Sequence, residues 1–299
     1  MRIPDRVIKC AGFVSPLAQT LTYGGTAFVV GVRMDATHTL AHLVTAKHVA
    51  DALDPGEVVI AMNATDGAPR FLQKGDMRWF YHPTEPESVD VAVLPFGSDR
   101  FAEYDILGIP EDSFATEERI KEYDIGLGDE IIIIGLFTKF FGSTHLIPIV
   151  RTGNIAMMPR DRVPVKGFGE IEAYLAEGRS IGGLSGSPVF VRSTVNMPMQ
   201  SKQGRRMNLS GLGPLHFLGL VHGHWGLPAS FSAAEQAEAV NMGVSIIVPA
   251  KKILEVLYHP ELVAMRKEHL GKDKKTNYPA ADSAFEPVAK QDFESTSKR

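Results

Sequence analysis

Three short segments of this 299-residue chain hold the side chains that could do chemistry together. They are Thr45-Ala46-Lys47-His48-Val49-Ala50, Ser88-Val89-Asp90-Val91-Ala92-Val93-Leu94 and Gly182-Gly183-Leu184-Ser185-Gly186-Ser187-Pro188-Val189-Phe190. A serine hydroxyl is a weak nucleophile at neutral pH. It becomes effective when an imidazole takes its proton, a carboxylate orients that imidazole, and backbone N–H groups receive the developing oxyanion. His48, Asp90 and Ser185 supply the three side chains, each at the edge of a strand-like run.

In residue type, order and spacing these segments resemble the chymotrypsin/trypsin-like serine peptidase family. Thr45-Ala46-Lys47-His48 follows the strand-like Leu40-Ala41-His42-Leu43-Val44, Asp90-Val91-Ala92-Val93-Leu94 opens an apolar run, and Gly183 to Pro188 fits the pattern Gly-x-Ser-Gly-(Gly/Ser)-Pro. The intervals are 42 residues from His48 to Asp90 and 95 from Asp90 to Ser185. The His and Asp strings alone are weakly specific and Gly-x-Ser-Gly-Ser-Pro followed by Val-Phe moderately so; the three in this order, with these gaps, are specific together. The resemblance covers roughly residues 20 to 258.

The resemblance implies an all-β fold of two six-stranded antiparallel β-barrels with a C-terminal helix. It also implies roles: Ser185 attacks a peptide carbonyl, His48 is the base, Asp90 orients it, and the N–H groups of Gly183 and Ser185 form the oxyanion hole. Val221, His222 and Gly223 fall where the family lines its substrate pocket. Leu184 stands where trypsin has an aspartate, so activation by a newly cleaved N-terminus is not expected, and the chain looks more like bacterial, disulfide-free intracellular members. Counting back six places from Ser185 reaches Arg179, not an acid, which argues against a preference for basic substrate residues.

Other readings compete. An α/β-hydrolase elbow would need Gly-x-Ser-x-Gly between a strand and a helix, whereas Gly183-Leu184-Ser185-Gly186-Ser187 runs into the strand-like Pro188-Val189-Phe190-Val191. An esterase could use the same three side chains. A catalytically silent or latent regulatory module on the same fold is the main alternative. His222-Gly223-His224 puts two imidazoles at strand spacing, yet no third ligand is evident nearby, so neither metal nor cofactor is expected.

A hydrophobic content of 44% lets a chain of this length bury a large core, and a net charge of −4 offers no general basic surface for nucleic acid. Cys10 is the single cysteine, which excludes an internal disulfide and suits a reducing, cytoplasmic setting. The start has no apolar run of signal-peptide length, and no stretch approaches the ~18 apolar residues of a membrane span. The expected partner is a protein or peptide substrate, with any regulatory partner or self-association undetermined.

Laid on the hydrophobic patterning, the resemblance implies an N-terminal arm (1–20), a first barrel carrying His48 and Asp90 (21–104), a connection (105–125), and a second barrel with Ser185 and the helix (126–258). A polar tail expected to be disordered follows (259–299). Ala27-Phe28-Val29-Val30-Gly31-Val32 and the run Ile131-Ile132-Ile133-Ile134 read as buried strands. Residues 193–213 read as a long exposed hairpin loop.

Overall fold

The computed structural model describes residues 3–16, 24–35, 38–53, 58–96, 103–137, 140, 142, 144–178, 183–200, 206–226 and 241–272. In the first half lie β1 (Ala11–Pro16), β2 (Gly25–Arg33), β3 (Thr39–Thr45), α1 (Lys47–Leu53), β4 (Val58–Asn63), β5 (Pro69–Gln73), β6 (Ala92–Phe96), β7 (Ile109–Pro110) and α2 (Glu117–Glu122). The second half holds β8 (Glu130–Gly135), β9 (Ile149–Met157), β10 (Arg162–Val165), β11 (Gly169–Glu172), β12 (Tyr174–Glu177), β13 (Pro188–Gln200), β14 (Arg206–Gly226) and β15 (Asn241–Pro249). Helices α3 (Ala250–Leu257) and α4 (Pro260–Lys272) follow.

The fold is all-β in two units with C-terminal helices. The second unit closes into a six-stranded barrel, β12-β15-β14-β13-β8-β9. The first is a seven-stranded sheet, β5-β4-β1-β2-β3-β6 with β7 added in parallel to β2, and it is a half-barrel rather than a closed one among the described residues. The outer edge of β6 is taken instead by Phe80, whose N–H and C=O exchange hydrogen bonds with Val93 at 2.7 and 2.8 Å.

Burial explains why these residues form strands. β2 and β8 are covered on both faces, so they read as near-continuous apolar runs rather than as alternation. The two units meet over an aromatic cluster: the Phe217 ring lies 5.2 Å from Phe28, 4.6 Å from Phe114 and 5.8 Å from Phe190, all four fully buried. Phe28 belongs to the first sheet and Phe190 and Phe217 to the barrel, so this packing locks one against the other.

Three stretches differ from the sequence reading. Residues expected as an arm supply a short 3-10 turn (Asp5–Cys10) and β1, which inserts antiparallel between β2 and β4 with Phe13 and Val14 fully buried. The hairpin loop expected over 193–213 is a hairpin in which the strands run on as a two-stranded ribbon of β13 and β14, paired as far as Gln200 with Arg206. The tail begins with α4, which docks through fully buried Leu262 and through Arg266, whose guanidinium donates to the Leu257 carbonyl at 2.7 Å and contacts His42 Nε2 at 3.2 Å. Residues 273–299, the ribbon tip 201–205 and Arg179 lie outside the described residues. No helix among the described residues is long and apolar enough to cross a membrane.

Candidate active site

β3 ends at Thr45, and the chain turns straight into α1, which places His48 in the first helical turn. The Thr45 hydroxyl donates to the Thr26 carbonyl at 2.7 Å, tying this corner to β2. A helix start leaves backbone N–H groups without intrahelical acceptors. Asp90, just before β6, supplies one: its Oδ1 accepts from the His48 N–H at 2.9 Å. Its Oδ2 accepts from His48 Nδ1 at 2.8 Å. One carboxylate therefore caps the helix and orients the imidazole on it.

Asp90 is fully buried, while the His48 side chain keeps 36% of its surface exposed. The acid sits in the interior and the ring opens outward. Burial pushes the Asp90 carboxyl up, but the hydrogen bonds from His222 and His48, with the charge of those rings, outweigh it and hold the carboxyl far below the usual range. Asp90 is thus an anion, so both imidazole Nδ1 atoms facing it carry the proton.

His222 is the residue that sequence spacing did not connect to Asp90. Its Nδ1 donates to the same Oδ2 at 2.5 Å, across 132 residues of chain. The register of β14 on β15 steps from Val221–Ile247 to Gly223–Ile246, so His222 is the unpaired residue of a β-bulge. A bulge redirects the side chain that it carries, and here it points the ring at Asp90. The His48 and His222 rings lie 5.2 Å apart, edge to face. Phe168, in the turn between β10 and β11, stands edge-on to both, 6.4 Å from His48 and 5.3 Å from His222. Lys47 completes the rim, its ammonium 5.8 Å from the Phe168 ring and 5.4 Å from Tyr81.

Ser185 lies in the tight turn before β13. That turn is clamped to the first sheet: Thr26 N donates to Ser185 O at 3.0 Å and Thr26 Oγ1 to Gly183 O at 2.9 Å. Gly183 has φ +94° and Gly186 φ +80°, values that L residues with a Cβ rarely adopt. Space is decisive as well at Gly186, where a Cβ would stand 2.2 Å from the Thr26 carbonyl oxygen and 2.4 Å from Thr45 Oγ1. Among the described residues the N–H groups of Gly183 and Ser185 have no hydrogen-bond acceptor. The Ser185 hydroxyl donates to the His222 carbonyl at 3.1 Å rather than to the His48 ring.

The pocket residues inferred from the resemblance divide. Val221 is fully buried, its N–H bonded to Ser187 O at 2.9 Å and its C=O to Gly186 N at 2.8 Å, so it holds the turn. His222 is committed to Asp90. Gly223 faces open space. His224 is exposed and stands outside the His48–Asp90–His222 cluster, because the bulge breaks the expected alternation. Phe168 was missed entirely, having no motif around it. Cys10 is buried and its thiol pushed up by that burial, which removes it as a nucleophile.

No family model matches the chain, and no curated protein does. Among solved structures it is similar to the protease domain of MamO from Magnetospirillum magneticum in its apo form, at 16% identity and a TM-score of 0.44, over 70% of this chain and 94% of that one. It is similar to Deg5 at 14% identity and a TM-score of 0.45, covering 83% and 87% of the two chains. It is also similar to human heparin binding protein at 10% identity and a TM-score of 0.44, covering 94% and 98%.

Proposed function

We propose that this chain is a serine endopeptidase that hydrolyses peptide bonds through an acyl-enzyme. The observation that supports it most is the His48–Asp90 pair: a buried, ionised carboxylate bonded to Nδ1 of a half-exposed imidazole, with a serine-bearing glycine turn clamped beside it. With the proton fixed on Nδ1, the His48 Nε2 lone pair is the base. Ser185 Oγ turns about χ1 from the His222 carbonyl toward that base, loses its proton to it and attacks the scissile carbonyl. The N–H groups of Gly183 and Ser185 receive the oxyanion. His48 then protonates the leaving amine, and water repeats the cycle on the ester. The single cysteine, Cys10, is in keeping with a reducing compartment, and the cytoplasm is the proposed location.

A latent or silent module is the second reading. The hydrogen bond from Ser185 to the His222 carbonyl favours it, since a hydroxyl held there is turned away from its base. A fluorophosphonate probe separates the two. Labelling mapped to Ser185, lost in Ser185→Ala and His48→Ala, supports the peptidase. Native protein that stays unlabelled and leaves peptide substrates uncleaved supports the silent module.

A further inference from the structure

We propose that His48, Asp90 and His222 form a binding site for a divalent transition-metal ion of the zinc class, and that loading it blocks the active site. The three residues come from α1, from the loop before β6 and from the bulge of β14. Each offers one ligand atom, and these atoms lie within 4.8 Å of one another. Donors around a tetrahedral ion with bonds of 2.0–2.2 Å sit about 3.4 Å apart. Asp90 Oδ2 lies 2.8 Å from His48 Nδ1 and 2.5 Å from His222 Nδ1, so a small outward turn of the two rings makes room for an ion in place of the Nδ1 protons, which pass to Nε2.

The donor chemistry selects the class of ion. Two imidazoles and a carboxylate suit zinc and its neighbours, whereas calcium and magnesium take oxygen ligands. Burial grades from the fully covered Asp90 through His222, 13% exposed, to His48, 36% exposed. That gradient gives an ion an anchored floor and an open side by which to enter. Asp90 is the third ligand, because both Nδ1 atoms converge on its Oδ2. Binding through Nδ1 leaves the proton of each ring on Nε2, so His48 keeps no lone pair there to act as a base. The sequence offered no third ligand beside His222 and His224 because the partner is Asp90, brought in from the other β unit.

The blocking effect rests on the peptidase reading, since an ion on the His48 imidazole removes the base. The binding does not rest on it. The test is titration of chelator-stripped full-length protein with Zn²⁺, followed by calorimetry, with Co²⁺ absorption as a second readout of imidazole coordination. We expect one ion per chain in native protein, in Ser185→Ala and in the exposed-histidine control His224→Ala. His222→Gln keeps an N–H for Asp90 while removing the ligand, and affinity there should fall by about tenfold or more. Zinc should raise the melting temperature of native protein but not of His222→Gln, and should slow fluorophosphonate labelling of native protein. Zinc binding that is absent, or equally tight in His222→Gln and His48→Ala, overturns the site. Zinc binding with the expected dependence, alongside native protein that never labels even with chelator, leaves the site standing and removes the peptidase reading. Labelling that zinc at saturation does not slow overturns the block.

Discussion

Asp90 accepts its shorter imidazole hydrogen bond from His222, at 2.5 Å, and the longer one, at 2.8 Å, from the histidine its motif announces. The carboxylate is therefore held from both β units at once. Its negative charge is shared between the His48 ring, carried by α1, and the His222 ring, carried by β14.

Asp90→Asn should separate charge from shape. The amide fills the same space, but it cannot accept from both Nδ1 atoms as an anion does, and it favours the wrong His48 tautomer. The rate of fluorophosphonate labelling should drop by about 10³–10⁴ with little loss of fold, read by circular dichroism. A labelling rate within tenfold of native would show that Asp90 does not orient the base.

Removing His222 should cost stability. His222→Ala deprives a fully buried carboxylate of one charge-assisted donor, at about 1–3 kcal/mol in urea unfolding, whereas His222→Gln should recover most of it. Equal losses in the two variants would mean that ring packing against His48 and Phe168 matters more than the hydrogen bond.

Gly186 and Gly67 form a matched pair. Both have positive φ, +80° and +84°, but a Cβ at Gly67 meets nothing within 4 Å, whereas at Gly186 it meets the Thr26 carbonyl. Gly67→Ala should cost about 1 kcal/mol, the price of the backbone conformation alone. Gly186→Ala should cost about 3 kcal/mol or more and abolish labelling, because the Ser185 turn must pull away from the first sheet. Denaturant melts of the two variants side by side decide this.

Acid should destabilise the fold through buried histidines away from the site. Burial, helped by the Arg266 cation, lowers His42 to about 3, and burial, helped by Arg119, lowers His216 to about 4. The unfolded chain protonates both near pH 6.5 while the folded chain does not, so stability falls as pH drops from about 6.5 to those values and levels off below them. His216 offers a clean test, as its ring lies 4.3 Å from Tyr123 and its Nε2 has no hydrogen-bond partner among the described residues. His216→Phe keeps the ring contact and should flatten the profile between pH 6.5 and about 4 by on the order of 2 kcal/mol. An unchanged slope would show that His216 does not contribute to it.

Local chemistry made part of this protein legible in its sequence. The β-rich strand runs, the helix that follows Pro249 and the three segments around His48, Asp90 and Ser185 depend on neighbours close along the chain. So do the glycines at 183 and 186, where a turn needs positive φ. Tertiary structure alone decided what meets across the two β units. β1 is short and buried on both faces, so it shows no alternation, and only its place between β2 and β4 makes it a strand. α4 has a weak apolar stripe and is anchored by one arginine against His42, on the far side of the sequence. The orientation of His222 is set by a one-residue slip between β14 and β15. Such a slip is a property of two paired strands and is not encoded in the local pattern of either, which is why spacing alone paired His222 with His224 and the fold paired it with Asp90.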